Sequence, residues 1–135
     1  MPNRVPWNPA YGLGHEILDS QHRNILAQCN AMADCLSQAD PQSELKFRSA
    51  FDALMAQAAD HFATEEKLLT ECGHALLEEH QDECDEFDYL AKDILTAENF
   101  ERVEQQRFLA LWWVGHIVGF GKKYRALLDK LPPGT

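Results

Sequence analysis

The chain has 135 residues, 45% hydrophobic and 25% charged, a length and balance that predict one folded unit and argue against a disordered chain. Its 22 acidic and 12 basic residues leave a formal net charge of −10, and an acidic chain without a basic patch repels phosphate backbones, which argues against nucleic-acid binding. The apolar runs are a few residues long, far short of the ~20 needed to cross a bilayer, and Met1 to Pro9 lacks the apolar core of a secretory signal, so no membrane association and a cytoplasmic location are expected.

Glycine and proline gather at the ends, with Pro2, Pro6, Pro9, Gly12 and Gly14 in front and Pro132, Pro133 and Gly134 behind. Residues 1–14 therefore read as an N-terminal arm and 15–131 as the body of a single domain spanning 1–135. Breaks at Ala39-Asp40-Pro41, Cys72-Gly73 and Thr96-Ala97-Glu98-Asn99 cut the body into four segments. Each carries an apolar stripe at 3–4 spacing, the mark of one buried helix face. The first stripe runs Leu18, His22, Ile25, Cys29, Met32, Leu36. Asp19 or Ser20 is expected to cap or open that helix, and Asp40-Pro41 has the cap-then-proline order for the next. The second stripe runs Phe47, Phe51, Leu54, Ala58, His61, Glu65, Leu68, Cys72. The third runs Leu77, His80, Cys84, Phe87, Ala91, Ile94, and the fourth Leu109, Trp113, His116, Phe120, Tyr124, Leu127. No alternating β-branched pattern is present, so an all-α, up-down-up-down four-helix bundle is expected. The cysteines, Cys29, Cys35, Cys72 and Cys84, match no zinc-finger spacing and read as reduced thiols.

The polar interruptions of these stripes carry the functional information. Every stripe holds one histidine: His22, His61, His80 and His116. The second adds Glu65 one turn after His61, and the third adds Cys84 one turn after His80. A carboxylate in a dry core costs several kcal/mol unless it is paired or bound to a metal. Residues at i and i+4 project side by side, so His61–Glu65 and His80–Cys84 can each clamp one site. Imidazole with carboxylate suits iron, zinc or manganese, and such sets inside bundles hold pairs of metal ions.

With these residues in view, the chain resembles the bacterial hemerythrins of the hemerythrin-like superfamily, from about Trp7 to Leu128. Asp19-Ser20-Gln21-His22 is similar to the family's D-x-Q-H. His61-Phe62-Ala63-Thr64-Glu65-Glu66 matches H-F-x-x-E-E, and Trp112 to Ile117 is similar to W-x-x-x-H-I. The arm, with Trp7 and Tyr11-Gly12, resembles the family's leading segment. The resemblance implies a non-haem di-iron centre that reversibly binds O2, or NO or peroxide. It places His22, His61, Glu65, His80 and His116 at metal-ligand positions, with His22 and His61 on one iron, His80 and His116 on the other, and Glu65 bridging. Trp113 falls at the border of the ligand cavity.

Two positions depart from the family. Its third helix carries H-x-x-x-H where this chain has Cys84 for the second histidine, and its bridging aspartate falls on Gly121. A thiolate at Cys84 would donate more electron density to the metal and would itself be open to oxidation. Glu83 and Asp88 enter only as fallback ligands on a rotated third helix, the acidic run from Glu78 to Asp88 otherwise reading as a solvated face. His15 reads as structural or surface, and His74 as non-functional. The leading expectation is small-ligand binding at di-iron without catalysis. An iron–thiolate redox enzyme or sensor using Cys84, a mononuclear site, a structural or zinc-storing bundle, and a haem between two core histidines follow as alternatives.

Overall fold

The computed structural model describes residues 4–37, 41–72, 77–97 and 101–128. After a short 3-10 turn at Pro9–Tyr11, four helices follow: α1, Glu16–Leu36; α2, Ser43–Cys72; α3, Leu77–Thr96; and α4, Arg102–Leu128. Helix α1 packs on α2 and α4, α2 on α3, and α3 on α4, which is the cyclic neighbour order of the expected all-α, up-down-up-down bundle. Among the described residues no strand forms, and no helix is long and apolar enough to cross a membrane. Asp40, the breaks at Gly73 and at Glu98-Asn99, His74, Lys130 and the side chains of Cys72 and Leu127 lie outside the described residues.

The start of α1 departs from expectation. The helix opens at Glu16, and its cap is His15, whose Nδ1 accepts from the Leu18 amide at 3.3 Å. Asp19 sits inside the first turn instead, where a negative charge favours the positive end of the helix dipole. Its carboxylate reaches back to the arm and accepts from the amides of Leu13 at 2.8 Å and Gly14 at 3.2 Å. Gly14 adopts φ +78°, a left-handed turn that favours glycine and folds the arm onto the helix. Upstream, Asn30 pairs with both backbone groups of Val5, at 2.7 and 3.0 Å, and Arg23 lies over the Trp7 ring. The arm is therefore strapped along the bundle by side chains of α1.

The core has two apolar parts. The larger contains Ile25, Met32, Phe47, Leu54, Phe87, Leu109 and Trp113. The smaller contains Leu13, Leu18, Leu68, Leu69, Phe120 and Tyr124. In every helix the histidine falls between them, with Leu18 and Ile25 flanking His22 and Trp113 and Phe120 flanking His116. The polar residues thus form one layer sealed by hydrocarbon above and below.

A candidate metal centre between the helices

All four stripe histidines reach this layer. His22, His61 and Glu65 are fully buried, His80 is 1% exposed and His116 4%. The Glu65 carboxylate is their common focus. Its Oε2 lies 2.8 Å from His61 Nε2 and 3.5 Å from His22 Nε2. Its Oε1 lies 2.9 Å from His80 Nε2 and 3.1 Å from His116 Nε2. One ring from each helix therefore turns the same nitrogen toward one acid. With metal–donor bonds of ~2.1 Å, neighbouring donors around an ion stand about 3.0–3.4 Å apart, close to these separations.

Two rings are fixed from behind. His61 Nδ1 donates to Gln21 Oε1 at 2.8 Å, and Gln21 is held in turn by Thr64. His116 Nδ1 donates to Glu83 Oε1 at 2.6 Å. A proton held on Nδ1 turns Nε2 toward the centre, where His61 offers a lone pair and His116 offers one once a cation displaces its second proton, the outer-shell arrangement common for metal-binding histidines. Among the described residues, His22 Nδ1 is buried without a hydrogen-bond partner, and His22 Nε2 and His61 Nε2 face only the Glu65 carboxylate, without well-aligned hydrogen bonds. Poorly satisfied buried nitrogens are uncommon in folded proteins, and imidazole nitrogens gathered around one carboxylate fit a cation site.

The layer divides into two donor groups. His22, His61, Glu65 and His116 form one, entirely buried, and Glu66, His80 and Cys84 form the other. His116 Nε2 lies 3.1 Å from Glu65 Oε1, the oxygen that His80 also meets, and 3.2 Å from Oε2, so it stands between the two groups. Cys84 is half-buried, its Sγ 3.6 Å from His80 Nδ1. Burial and then the carboxylates of Glu65, Glu66, Glu83 and Asp85 push its thiol up, so the bare side chain holds its proton at neutral pH. Trp113 lies beside the layer, fully buried, its ring centroid 5.8 Å from that of His61 and 5.3 Å from that of His116. Trp112 stacks on His116 at 5.3 Å with an interplanar angle of 6°.

Two acids outside the expected ligand set lie against the layer, Glu83 at His116 and Glu66 near His80 and Cys84. Glu83 contacts His116 Nδ1 from its ordinary place on α3, with no rotation of that helix. Glu66 stands next to Glu65 inside the H-F-x-x-E-E match, so the signal for it was present. Asp88 stays outside and pairs with Lys92 at 3.0 Å. Lys123 pairs with Glu79, and Arg125 donates to the Gly12 carbonyl at 2.8 Å. Cys29, Cys35 and Cys84 are free thiols.

Gly121 is buried against the arm. A Cβ there would meet Leu13 Cδ2 at 3.2 Å and Arg125 Nη2 at 3.6 Å. Hydrocarbon from the arm thus crowds the position where the family carries a second carboxylate. Replacing glycine within a helix gains about 1 kcal/mol of propensity, which Gly121→Ala is expected to lose again to the tight contact. Gly121→Asp sets an acid against leucine and is expected to cost about 1–3 kcal/mol. Adding Leu13→Ala should recover part of that loss in urea melts, and no recovery would mean that the arm is not what excludes the carboxylate.

The charges of the layer predict an unusual pH profile for metal-stripped protein. Burial lowers His61 to about 4 against the pull of Glu65. For His116, burial acts downward too, but the Glu65 charge and the hydrogen bonds of Glu65 and Glu83 outweigh it and raise the group to about 9. Glu65, despite burial, is held well below the usual carboxylate range by His116 and the surrounding imidazoles. The His116 contribution is full below its ordinary value of 6.5 and is lost as pH rises toward 9. The His61 contribution is full above 6.5 and is lost as pH falls toward 4. Glu65 adds a further loss in acid. Thermal melts after chelation should therefore peak near pH 6.5 and fall on both sides. Metal-loaded protein should keep gaining above that pH, because protons compete with the cation for imidazole.

The family model described as the hemerythrin HHE cation-binding domain matches residues 13–119. Hemerythrin-like proteins of Naegleria gruberi and Naegleria fowleri are each 27% identical over 128 residues, covering 95% of this chain and 97% of theirs. No solved structure matches. The match covers α1, α2, α3 and most of α4, and it includes every residue of the buried histidine–carboxylate layer. The chain belongs to the hemerythrin HHE cation-binding domain family.

Proposed function

We propose that this chain is a single hemerythrin-like domain that binds O2, or a related small ligand such as NO or peroxide, at a pair of non-haem irons. The reading rests on one observation: four buried histidines, one from each helix, turn toward the same buried carboxylate. His22, His61, His80 and His116 would hold the metal with Glu65, whose charge offsets that of the cations. Iron supplies the electrons needed to retain a weakly interacting diatomic ligand. The chain supplies the rest. Gln21 and Glu83 keep protons on His61 Nδ1 and His116 Nδ1 and so aim the other nitrogens inward. Phe62, Phe87, Trp113 and Phe120 wall the layer and keep water out. Trp113 narrows the path to it. The three free thiols among the described residues suit a reducing compartment such as the cytoplasm.

Elemental analysis of anaerobically purified protein, with visible spectra before and after air, tests this reading. Two irons per chain and an absorption band that appears with O2 and fades on its removal are expected. Zinc, or no metal in protein grown with ample iron, would count against it. The spacing of Cys84 and His80 supports a second reading, an iron–thiolate redox site. That reading requires a sulfur-to-iron band lost in Cys84→Ala, together with turnover of peroxide or NO.

A further inference from the structure

Between the arm and α4 lies a cavity of about 270 Å³, and no residue of the histidine layer lines it. Its apolar walls are Ala10 and Tyr11 on the arm side and Ile117, Val118 and the bare backbone of Gly121 on the helix side. The arm's wall is built without a ligand. The Gly12 amide donates to the Pro9 carbonyl at 3.1 Å to close the 3-10 turn, and the Tyr11 ring meets Trp7 edge-on at 5.5 Å. Lys122 and Arg125 complete the lining, and both are exposed. Arg125 uses one N–H on the neutral Gly12 carbonyl at 2.8 Å, which leaves the rest of its fork free. Neither cation pairs with an acid among the described residues, whereas Lys123, the next residue, pairs with Glu79. Gly121 permits this arrangement, because a Cβ there would stand 3.6 Å from Arg125 Nη2. Two unoffset positive charges beside an apolar cavity, in a chain of net charge −10, select for an anion with a hydrocarbon body.

We propose that this cavity binds a short-chain aliphatic monocarboxylate, its head group on Arg125 and Lys122 and its tail against Tyr11, Ile117 and Val118. A planar carboxylate matches the guanidinium fork, which a spherical anion such as chloride does not. The apolar walls penalise a second charge, so dicarboxylates fit poorly. The volume falls below the ~300–1,000 Å³ of pockets for drug-sized ligands, which limits the tail to a few carbons. The arm supplies one wall and α4 the other, so an occupied cavity also fixes the arm, and with it Leu13 against Gly121. This site stands apart from the metal layer and does not depend on the reading of that layer.

Titration of the metal-stripped, isotope-labelled full chain with butyrate, followed by amide NMR, tests the assignment. Saturable shifts should concentrate at Tyr11, Gly12, Val118 and Gly121. Affinity should rise by up to ~4-fold per methylene from acetate to butyrate. Butylammonium, the same tail with the opposite charge, should leave these amides unmoved. Lys122→Glu, an exposed change that breaks no contact of the arm, should weaken butyrate at least ~10-fold. Arg125→Lys keeps the charge without the fork and should weaken it several-fold, while the Val5 amide, bonded to Asn30, reports whether the arm stays in place. The proposal is overturned if the shifts fail to saturate or scatter over the surface, or if chloride or phosphate moves the same amides equally well. Wild-type affinity for butyrate in Lys122→Glu would overturn it too.

Discussion

Glu65→Gln should abolish stable cation uptake by the four-histidine layer while leaving the helices in place. The substitution keeps the shape of the side chain but removes the charge at which four imidazoles converge. Loss of an outer-shell partner typically costs 10–100-fold in metal affinity, so removal of this central group is expected to cost more than ~100-fold. A second effect follows in the metal-stripped protein. His116 is raised to about 9 by Glu65 first and Glu83 second, against burial. Without Glu65, burial pulls it down, and the loss of stability between pH 6.5 and 9 should largely disappear. Competition with a chromophoric chelator measures the first effect, and NMR titration of the imidazole signals the second. Asp82→Asn, an exposed change on the same acidic face, should alter neither. Wild-type affinity in Glu65→Gln would show that the acid is a partner of the histidines and not a ligand.

Trp113→Ala should be the most destabilising single truncation in the bundle. The ring is fully buried, stacks on Phe62 at 5.3 Å and meets Phe87 edge-on at 5.2 Å. Emptying such a site costs about 3–5 kcal/mol, or about 10–20 °C in melting temperature for a domain of this size. Trp113→Leu separates packing from access. It leaves a smaller cavity, expected to cost about 2 kcal/mol, while clearing space beside His61 and His116. If the indole narrows the ligand's path, NO should bind the iron-loaded Leu variant at least ~10-fold faster in stopped-flow measurements. An unchanged rate with lowered stability would assign Trp113 to packing alone. Its Nε1 has no hydrogen-bond partner among the described residues, a sign that the ring is held there at some cost.

The sequence by itself determined the four helices, the histidine that each turns inward and the place of Glu65 one turn after His61. Those features follow from helical periodicity, which fixes which residues share a face regardless of what that face meets. The H-F-x-x-E-E match and its two companion elements carried the family in the same local way. Periodicity says nothing about how far neighbouring helices rotate or slide against one another. Only the packed bundle therefore showed that Glu83, from within an acidic run, reaches across to His116. It also placed His116 within reach of both oxygens of Glu65, and set Glu66 beside Cys84 and His80. Asp19 shows the same limit at a helix start: its residue type suggested a cap, but the amides it serves belong to an arm folded back by Gly14. The vacancy at Gly121 was visible as a missing side chain, but not that Leu13 leans into it, because that contact joins residues 13 and 121 through tertiary packing alone.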